Sequence, residues 1–235
     1  MNVTPRIILN KPTVLIVIPA LNEAATIQLV LDEVPLEELR SAGYVPQILV
    51  VDNGSSDGTA ELAREKQATV IVEPSRGKGK AMRRAFAGMS ANYVFMLDAD
   101  ATYPPSHIPD MLKVLRDGHD VVIGSRLTGT RAPGSISRLN LVGNHLLTWL
   151  ASILYGVRIS DLCTGYWGFT GDALRKLSLC SDGFTLEAEL FSEVARHNLK
   201  LGEVPVHYRR RPTATKLRAL RDGFRIVQTL VGKRF

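Results

Sequence analysis

Short apolar runs alternate with amphipathic stretches through the first half of the chain. The apolar runs predict strands at residues 14–18, 47–51, 69–72, 93–97 and 120–123. The stretches between them predict helices at residues 23–33 (with Asn22 as the N-cap), 59–66, 78–90 and 108–117. Continuous apolar strands that alternate with helices are typical of an α/β fold with a mostly parallel sheet covered on both faces.

The second half of the chain has a less regular pattern. It predicts helices at residues 139–155, 184–197 and 216–231, and a strand at residues 201–208. The first of these helices is unusually apolar, and it fits a buried helix and a helix lying in a membrane interface equally well. No apolar stretch reaches the roughly 18 residues that a membrane-spanning helix requires.

Composition predicts a globular protein in a reducing compartment. The chain has 235 residues, of which 45% are hydrophobic and 22% charged, and this favours one domain over residues 1–235. Its two cysteines, Cys163 and Cys180, are too few for a disulfide framework or a four-ligand metal site. Residues 1–11 lack the apolar core of a signal peptide, so a cytoplasmic location is expected.

Positive charge is concentrated near the C-terminus. The formal net charge is +6, and residues 205–235 contain nine Lys and Arg residues but only one acid, Asp222. Such a segment favours an anionic partner, which includes phosphates, nucleic acid and an acidic membrane surface. A solvated surface helix is the alternative.

The fourth predicted strand ends in two carboxylates, Asp98 and Asp100. Residues at positions i and i+2 of an extended chain project to the same side, and ligands of open α/β sheets bind beyond the carboxyl ends of the strands. Two carboxylate oxygens at such a place suit Mg²⁺ or Mn²⁺ that carries phosphates. A solvated acidic turn is the alternative for this pair taken alone.

Three further segments lie where ligands would bind. The first strand ends in Pro19-Ala20-Leu21-Asn22-Glu23, and the chain contains neither a Gly-x-Gly-x-x-Gly turn nor a Walker loop. The second strand ends in Asp52, whose carboxylate could accept hydrogen bonds from a ribose or a base. Gly77-Lys78-Gly79 opens a helix, where free N–H groups and a lysine could hold a diphosphate.

These segments occur in an order that resembles the family 2 glycosyltransferases with the GT-A fold, and Gly124-Ser125-Arg126 completes the series. The resemblance covers about residues 12–218 and is strongest to the polyprenyl-phosphate glycosyltransferases, of which dolichyl-phosphate mannose synthase is the best-known type. It implies a Rossmann-like, mostly parallel sheet with flanking helices and a smaller acceptor-side region. Residues 12–125 would form the nucleotide-sugar half, and residues 126–235 the acceptor-side half with its basic C-terminal segment.

The resemblance also implies roles for individual residues. Those implied to bind the nucleotide sugar are Pro19, Leu21, Asn22, Glu23, Asp52, Gly77, Lys78 and Asp98. Those implied in catalysis are Asp98, Asp100, Arg126 and Arg138, with Asp100 and Asp98 as metal ligands. Those implied at the acceptor phosphate are Arg126, Arg138, Arg209 and Lys216. Thr102 stands where GDP-mannose enzymes often carry a glutamine that binds the metal, so the third ligand and the sugar stay open.

The implied reaction is a metal-dependent, inverting transfer of a hexose to a polyprenyl (dolichyl or undecaprenyl) phosphate. Mg²⁺ or Mn²⁺ would be the cofactor. The protein would be peripheral at the cytoplasmic membrane face, with no nucleic acid as partner. A phosphate acceptor needs no strong general base, because a phosphomonoester is largely dianionic at neutral pH. UDP-glucose, UDP-N-acetylglucosamine and GDP-mannose all remain candidate donors.

Three other functions are compatible with parts of the pattern. A family 2 enzyme that uses a hydroxyl acceptor would need a base, for which Asp161 and Glu187 are the candidates. A sugar nucleotidyltransferase would share a similar sheet but would release diphosphate. A basic module that binds nucleic acid would not depend on Asp100.

Overall fold

The computed structural model describes residues 11–213 and 219–234. Its strands are β1 (Thr13–Ala20), β2 (Val45–Asp52), β3 (Thr69–Val72), β4 (Tyr93–Met96), β5 (Val121–Arg131), β6 (Trp167–Thr170) and β7 (Leu201–Tyr208). Its helices are α1 (Ile27–Asp32), α2 (Leu36–Ser41), α3 (Thr59–Glu65), α4 (Lys78–Phe86), α5 (Ile108–Arg116), α6 (Arg138–Tyr155), α7 (Gly171–Leu174), α8 (Leu186–Arg196) and α9 (Ala219–Arg234).

The strands form one mixed sheet in the order β3-β2-β1-β4-β6-β5-β7. All neighbouring pairs are parallel except those made by β6, which runs antiparallel to both β4 and β5. The expected α/β class with a mostly parallel sheet is therefore confirmed. Strand β6 and helices α2 and α7 were not predicted.

Helices cover both faces of the sheet, which explains why the central strands read as continuous apolar runs. Ile16 and Ile18 of β1 pack into a core under α1, α2, α3 and α5. Val17, on the other side of the same strand, packs into a second core under α4, α6, α7, α8 and α9. Residues on both faces of β1 are therefore buried in a core, and the strand lacks the alternation of apolar and polar residues that a half-exposed strand shows.

Two predicted helices differ from those observed. The predicted helix at 23–33 begins only at Ile27, and Thr26 occupies the N-cap position. Asn22, the predicted N-cap, adopts a left-handed conformation with φ of 50°. It instead joins two loops, since its N–H donates to Ser55 Oγ and its Oδ1 accepts from the Ser56 N–H, both at 2.9 Å. The helix predicted at 78–90 ends at Phe86.

The parallel strands place the chemically interesting loops along one edge. Ala20 of β1 pairs with Asp52 of β2, and Val17 pairs with Met96 of β4, so the carboxyl ends of these strands lie side by side. On β5, the pairing with β7 is irregular between Ser125 and Thr130, and Arg126 lies in that irregularity. Such bulges commonly redirect a side chain beside a functional site.

Candidate active site

A cavity of about 790 Å³ opens along this edge of the sheet. Eight of the residues expected at the site line it: Pro19, Leu21, Glu23, Gly77, Lys78, Asp98, Asp100 and Arg126. They come from the loops after β1 and β4, from the start of α4 and from β5. Residues far apart in the sequence therefore meet at one cavity.

Lys78 links two carboxylates at the base of the cavity. Its Nζ lies 2.6 Å from Asp98 Oδ1 and 2.7 Å from Glu187 Oε1. Burial alone would lower the pKa of Lys78, but the charges of Asp98 and Glu187 outweigh it and raise that pKa above its usual value. The charged ammonium form is therefore favoured. Lys78 stands at the N-terminus of α4, where no side chain of the described residues caps the helix.

Asp100 is fixed from both sides. The N–H and hydroxyl of Thr102 donate to its Oδ1 at 3.1 and 2.6 Å. Its Oδ2 lies 3.2 Å from Nη1 of Arg211, whose Nη2 donates to Glu23 Oε1 at 2.6 Å. Burial, followed by the charge of Asp98, raises the pKa of the Asp100 carboxyl.

Arg126 is held on the other wall by a buried carboxylate. Its Nε and Nη2 donate to Asp161 at 2.7 and 2.6 Å, and Asn144 Nδ2 also donates to that carboxylate at 2.6 Å. Burial acts to raise the pKa of Asp161, but the charge and hydrogen bonds of Arg126 outweigh burial and lower it. Tyr208 packs against the guanidinium, whose carbon is 5.3 Å from the ring centre.

Asp161 occupies one edge of the Arg126 guanidinium and so leaves another for a ligand. Among the described residues, Arg126 Nη1 has no hydrogen-bond partner. A guanidinium that is oriented in this way presents fixed donors to a phosphate.

The loop after β2 supports the donor side. Asn53 Oδ1 accepts from the Gly77 N–H at 2.6 Å, which joins this loop to the start of α4. Asp52 Oδ2 accepts from the Ser55 N–H at 3.3 Å. Its Oδ1 is buried and has no hydrogen-bond partner within the described part of the chain. An unsatisfied buried oxygen is costly, which makes Asp52 Oδ1 a candidate hydrogen-bond acceptor, although Asp52 does not line the cavity.

Three glycines of the site are needed for close packing. A Cβ on Gly165 would lie 2.2 Å from Asp98 Oδ2. A Cβ on Gly77 or Gly79 would lie 1.9 or 2.0 Å from a carbonyl oxygen of residues 181–182. The sequence suggested that Gly77 and Gly79 let a ligand approach, whereas the close neighbour observed at their Cβ positions is the chain's own backbone.

The remaining expected residues lie elsewhere. Arg138 is exposed at the first position of α6, and Arg209 pairs with Glu33 through two 2.8 Å contacts. Neither residue lines the cavity, nor do Asn22, in the loop after β1, and Asp52, the last residue of β2. Lys216 lies outside the described residues. The acceptor-phosphate roles of Arg138, Arg209 and Lys216 stay predictions.

Sequence reasoning gave no site role to Arg211 or Asn144. It considered Thr102 only as the position of an undefined third metal ligand, and Glu187 only as the base of an alternative reaction. Arg211 belongs to a run of three arginines, and the run itself does not tell which one turns toward Asp100. Glu187 is 109 positions from Lys78 in the sequence. Neither contact has a local signal, because both depend on how distant loops meet.

The two aspartates fit a divalent cation that also binds a diphosphate. Asp98 and Asp100 are carboxylates that follow β4. Burial and then the charge of Asp98 raise the pKa of the Asp100 carboxyl, so a bound cation would favour the ionised pair. Within residues 11–213 and 219–234, no group of three or more His, Cys, Asp or Glu side chains is arranged to hold a metal ion. Further oxygens would have to come from the substrate, which is the usual arrangement for Mg²⁺ in phosphate chemistry.

Sequence comparison places these features in a known context. The family model described as "Glycosyl transferase family 2" matches residues 15–177. The chain is 39% identical over 213 residues to "Glycosyltransferase AglJ" of Haloferax volcanii. This alignment covers 89% of this chain and 68% of AglJ. It is 34% identical over 185 residues to "Dolichyl-phosphate hexose transferase" of the same organism, covering 79% of each chain. It spans only 53% of another relative, the "Low-salt glycan biosynthesis hexosyltransferase Agl6".

Solved structures share the fold. Glucosyl-3-phosphoglycerate synthase from Mycobacterium tuberculosis, in complex with phosphoglyceric acid, matches with a TM-score of 0.74 at 24% identity over 94% of this chain and 80% of that one. A structure of that synthase with Mn²⁺ and UDP-glucose matches with a TM-score of 0.71 at 26% identity over 94% of this chain and 79% of that one. The architecture expected from the sequence motifs is thus the one observed in the solved relatives.

Proposed function

This chain belongs to glycosyltransferase family 2, and from that premise we propose that it transfers a hexose from a nucleotide-diphosphate sugar to a polyprenyl phosphate. The transfer would invert the anomeric carbon and take place at a membrane surface, where such an acceptor lies. Relatives named "Dolichyl-phosphate hexose transferase" and, at 29% identity over 211 residues, "Undecaprenyl-phosphate mannosyltransferase" of Micrococcus luteus support this acceptor class.

One observation carries the choice of a phosphate acceptor over a hydroxyl acceptor. Both carboxylates that could serve as a general base are already committed to cations: Asp161 to Arg126, and Glu187 to Lys78. The pKa of Asp161 is lowered, so this carboxylate is a poor proton acceptor. A phosphate dianion needs no base, and the same ion pair that disables Asp161 orients Arg126 to bind it.

In the proposed reaction, a phosphate oxygen of the acceptor forms a bond to the anomeric carbon of the donor sugar. The bond between that carbon and the diphosphate oxygen breaks, and its electron pair leaves with the nucleoside diphosphate. No proton transfer is required. Lys78 and the N–H groups at the start of α4 would stabilise charge on the leaving group, while Arg126 would hold the acceptor phosphate in line.

Asp98 and Asp100 would hold Mg²⁺ or Mn²⁺ together with the donor diphosphate. When bound, such an ion offsets negative charge that develops on the leaving group. Arg211 contacts Asp100 Oδ2, so this residue would have to share or yield that oxygen on metal loading. The Mn²⁺ and UDP-glucose in the structure of the mycobacterial synthase support both the metal and a uridine donor.

The test is a transfer assay with radiolabelled UDP-glucose, UDP-N-acetylglucosamine and GDP-mannose, each offered with undecaprenyl phosphate, dolichyl phosphate or an alkyl glycoside. We expect a labelled lipid with at least one polyprenyl phosphate and stoichiometric release of nucleoside diphosphate. Arg126→Lys keeps the charge but loses the forked donors, and it should raise the KM for the acceptor about tenfold or more.

Other outcomes would favour other functions. A product formed only with the alkyl glycoside would establish the hydroxyl-acceptor reaction. In a parallel assay that offers a nucleoside triphosphate with a sugar 1-phosphate, release of diphosphate and formation of a nucleotide sugar would establish nucleotidyl transfer. No labelled lipid with any of the three donors, from folded protein supplied with Mn²⁺, would refute the proposal.

A further inference from the structure

Helix α6 is apolar on its outward side as well as on the side where Leu147, Ala151 and Leu154 pack on the core. Its buried residues are Asn144, Thr148 and Ala151. Five of its large apolar side chains are between 59% and 66% exposed: Leu139, Val142, Leu146, Trp149 and Ile153. Their spacing of three and four residues places them in one stripe on the outward side of the helix. A helix that packs on a protein core normally turns such a stripe inward, so this stripe is adapted to contact something outside the chain.

Helix α9 lies along α6 and adds to this surface. The Tyr155 hydroxyl donates to the Leu230 carbonyl at 2.8 Å, which joins the ends of the two helices. On α9, Phe224 is 65% exposed and Val231 is 42% exposed, and their spacing of seven residues puts them on one side of that helix. The α6–α9 face is defined here as the exposed side chains of these two helices.

The charge of the α6–α9 face identifies its partner. Helix α6 contains no acid, and the only acid of α9, Asp222, is buried. The exposed bases of the two helices and the turn between α6 and β6 are Arg138, Arg158, Arg221, Arg225 and Arg234. An apolar surface bordered by bases and free of exposed acids complements the interface of an anionic bilayer. It does not complement a second copy of itself, because the bases of two copies would face each other.

The α6–α9 face is continuous with the cavity. Leu139, Gly143 and Leu147 of α6 and Ile226 of α9 line the cavity that Arg126 also lines. Leu139 therefore belongs both to the cavity wall and to the exposed stripe. A lipid whose phosphate reaches Arg126 could pass its hydrocarbon chain between these helices and into a bilayer that lies against them.

We propose that the α6–α9 face is the surface by which this protein binds an anionic lipid bilayer, with α6 lying in the plane of the interface. This inference deepens the proposed function and rests on it for the lipid acceptor. The partner is a bilayer surface of anionic phospholipid, and the chain binds it without a second protein.

The chain carries its own probe for this contact. It has two tryptophans: Trp149 is 60% exposed on the proposed face, whereas Trp167 is fully buried. Mixing the protein with vesicles that contain phosphatidylglycerol should shift tryptophan emission to shorter wavelength, because Trp149 leaves water. Vesicles of phosphatidylcholine alone, or 0.5 M NaCl, should reduce the shift severalfold.

A double variant isolates the face. Leu146→Gln with Ile153→Gln removes two exposed apolar side chains that do not line the cavity. We expect it to lose at least tenfold in affinity for the anionic vesicles while its melting temperature stays close to that of the parent. The matched control, Leu29→Gln with Val72→Gln, changes side chains that are 49% and 45% exposed on α1 and β3, and it should bind vesicles like the parent.

Two acceptors separate this inference from the proposed function. With long-chain polyprenyl phosphate in anionic vesicles, the α6 double variant should transfer sugar at least tenfold more slowly than the parent. With water-soluble geranyl phosphate, it should transfer sugar at the parent's rate. If the parent fails with both acceptors, the proposed function fails, and vesicle binding still decides the docking surface. Vesicle binding that is absent in the parent, or equal in the double variant, would refute the docking surface. The docking surface would also be refuted if the parent were a dimer and the double variant a monomer, while both bound vesicles equally well.

Discussion

Asp98 and Asp100 occupy adjacent places on one strand end, yet their surroundings give them different roles. Asp98 pairs with Lys78 at 2.6 Å. Asp100 receives two hydrogen bonds from Thr102 on Oδ1, and this directs Oδ2 toward Arg211. Ala101, which lies between Asp100 and Thr102, has φ of 61°, a conformation that a residue other than glycine seldom adopts. The turn is therefore built to hold the Asp100 carboxylate in one orientation.

Thr102→Val tests that orientation. Valine keeps the shape of threonine but cannot donate the 2.6 Å hydrogen bond to Asp100 Oδ1. Since loss of such an outer partner typically weakens metal binding by 10–100-fold, we expect the affinity for Mn²⁺ in the presence of UDP to fall by about tenfold. Isothermal titration calorimetry would measure it.

Thr102→Ser is the matched control for this change, because serine keeps the hydroxyl. It should bind Mn²⁺ within a factor of about two or three of the parent. Equal metal affinity in the valine and serine variants would mean that the Thr102 hydroxyl does not orient the metal-binding carboxylate.

At the scale of elements, helix α8 organises the donor side of the cavity through three buried glutamates. Glu187 pairs with Lys78. Glu189 accepts hydrogen bonds from the N–H groups of Cys180 and Ser181, at 2.9 and 2.8 Å, and pairs with Lys233 of α9 at 2.7 Å. Glu193 accepts from the Ser178 N–H at 3.0 Å. Because residues 181–182 lie against Gly77 and Gly79, α8 supports the loop that opens α4.

Glu189→Gln should make this support visible as a pH dependence of stability. Burial acts to raise the pKa of Glu189, but hydrogen bonds from Cys180, Lys233 and the Ser181 N–H outweigh it and lower the pKa from 4.5 to about 2. At roughly 1.4 kcal/mol per pH unit, the ionised carboxylate contributes about 3 kcal/mol. A lowered pKa places that contribution above pH 4.5, and it is lost as pH falls toward 2.

Urea unfolding at several pH values provides the measurement. The parent should exceed Glu189→Gln in free energy of unfolding by about 3 kcal/mol at pH 6, and the gap should narrow as pH falls below about 4.5. Glu61→Gln, at a side chain that is 70% exposed, should show almost no gap at any pH. A gap for Glu189→Gln that is the same at pH 6 and pH 3.5 would contradict the assignment.

For the whole molecule, the order of the sheet determines where ligands can bind. Strand β1 lies between β2 and β4, so the loops after these three parallel strands open on one cavity. Strand β5 and the start of α6 close the opposite side with Arg126 and Asn144. The donor-side carboxylates and the acceptor-side arginine thus stand on separate walls of one space, as a two-substrate transfer requires.

Ligand binding to that space should stabilise the entire fold. At a concentration of Mn²⁺ and UDP about 100-fold above the dissociation constant, binding contributes about 2.7 kcal/mol. For a chain of this size that corresponds to a rise of roughly 5–10 °C in melting temperature. Differential scanning fluorimetry with and without EDTA would measure it.

Asp100→Asn serves as the comparison, because it removes the charge of one proposed metal ligand with little change in shape. The rise in melting temperature that UDP causes in this variant should be the same with and without Mn²⁺. If EDTA leaves the parent's rise unchanged, UDP binding does not depend on a divalent ion.

Much of the donor half could be read directly from the sequence. Strands β1 to β5 were predicted because helices cover both faces of the sheet, and each strand is therefore a continuous apolar run between polar loops. Strand β6 was missed because Gly168 interrupts its apolar run, at a position where a Cβ would lie 2.6 Å from Phe95 Cε1. The packing that requires glycine there also removes the apolar side chain that would have marked a strand.

The sequence by itself determined that two carboxylates follow a buried strand, that Lys78 opens a helix, and that residues 139–155 are helical. Each of these is local, since it depends on backbone periodicity and on neighbours within a few positions. Only the tertiary structure decided that Arg211 contacts Asp100, that Glu187 contacts Lys78, and that the apolar stripe of α6 faces outward. These depend on which loops meet and which side of a helix is covered, and both follow from the packing of residues that lie far apart in the chain.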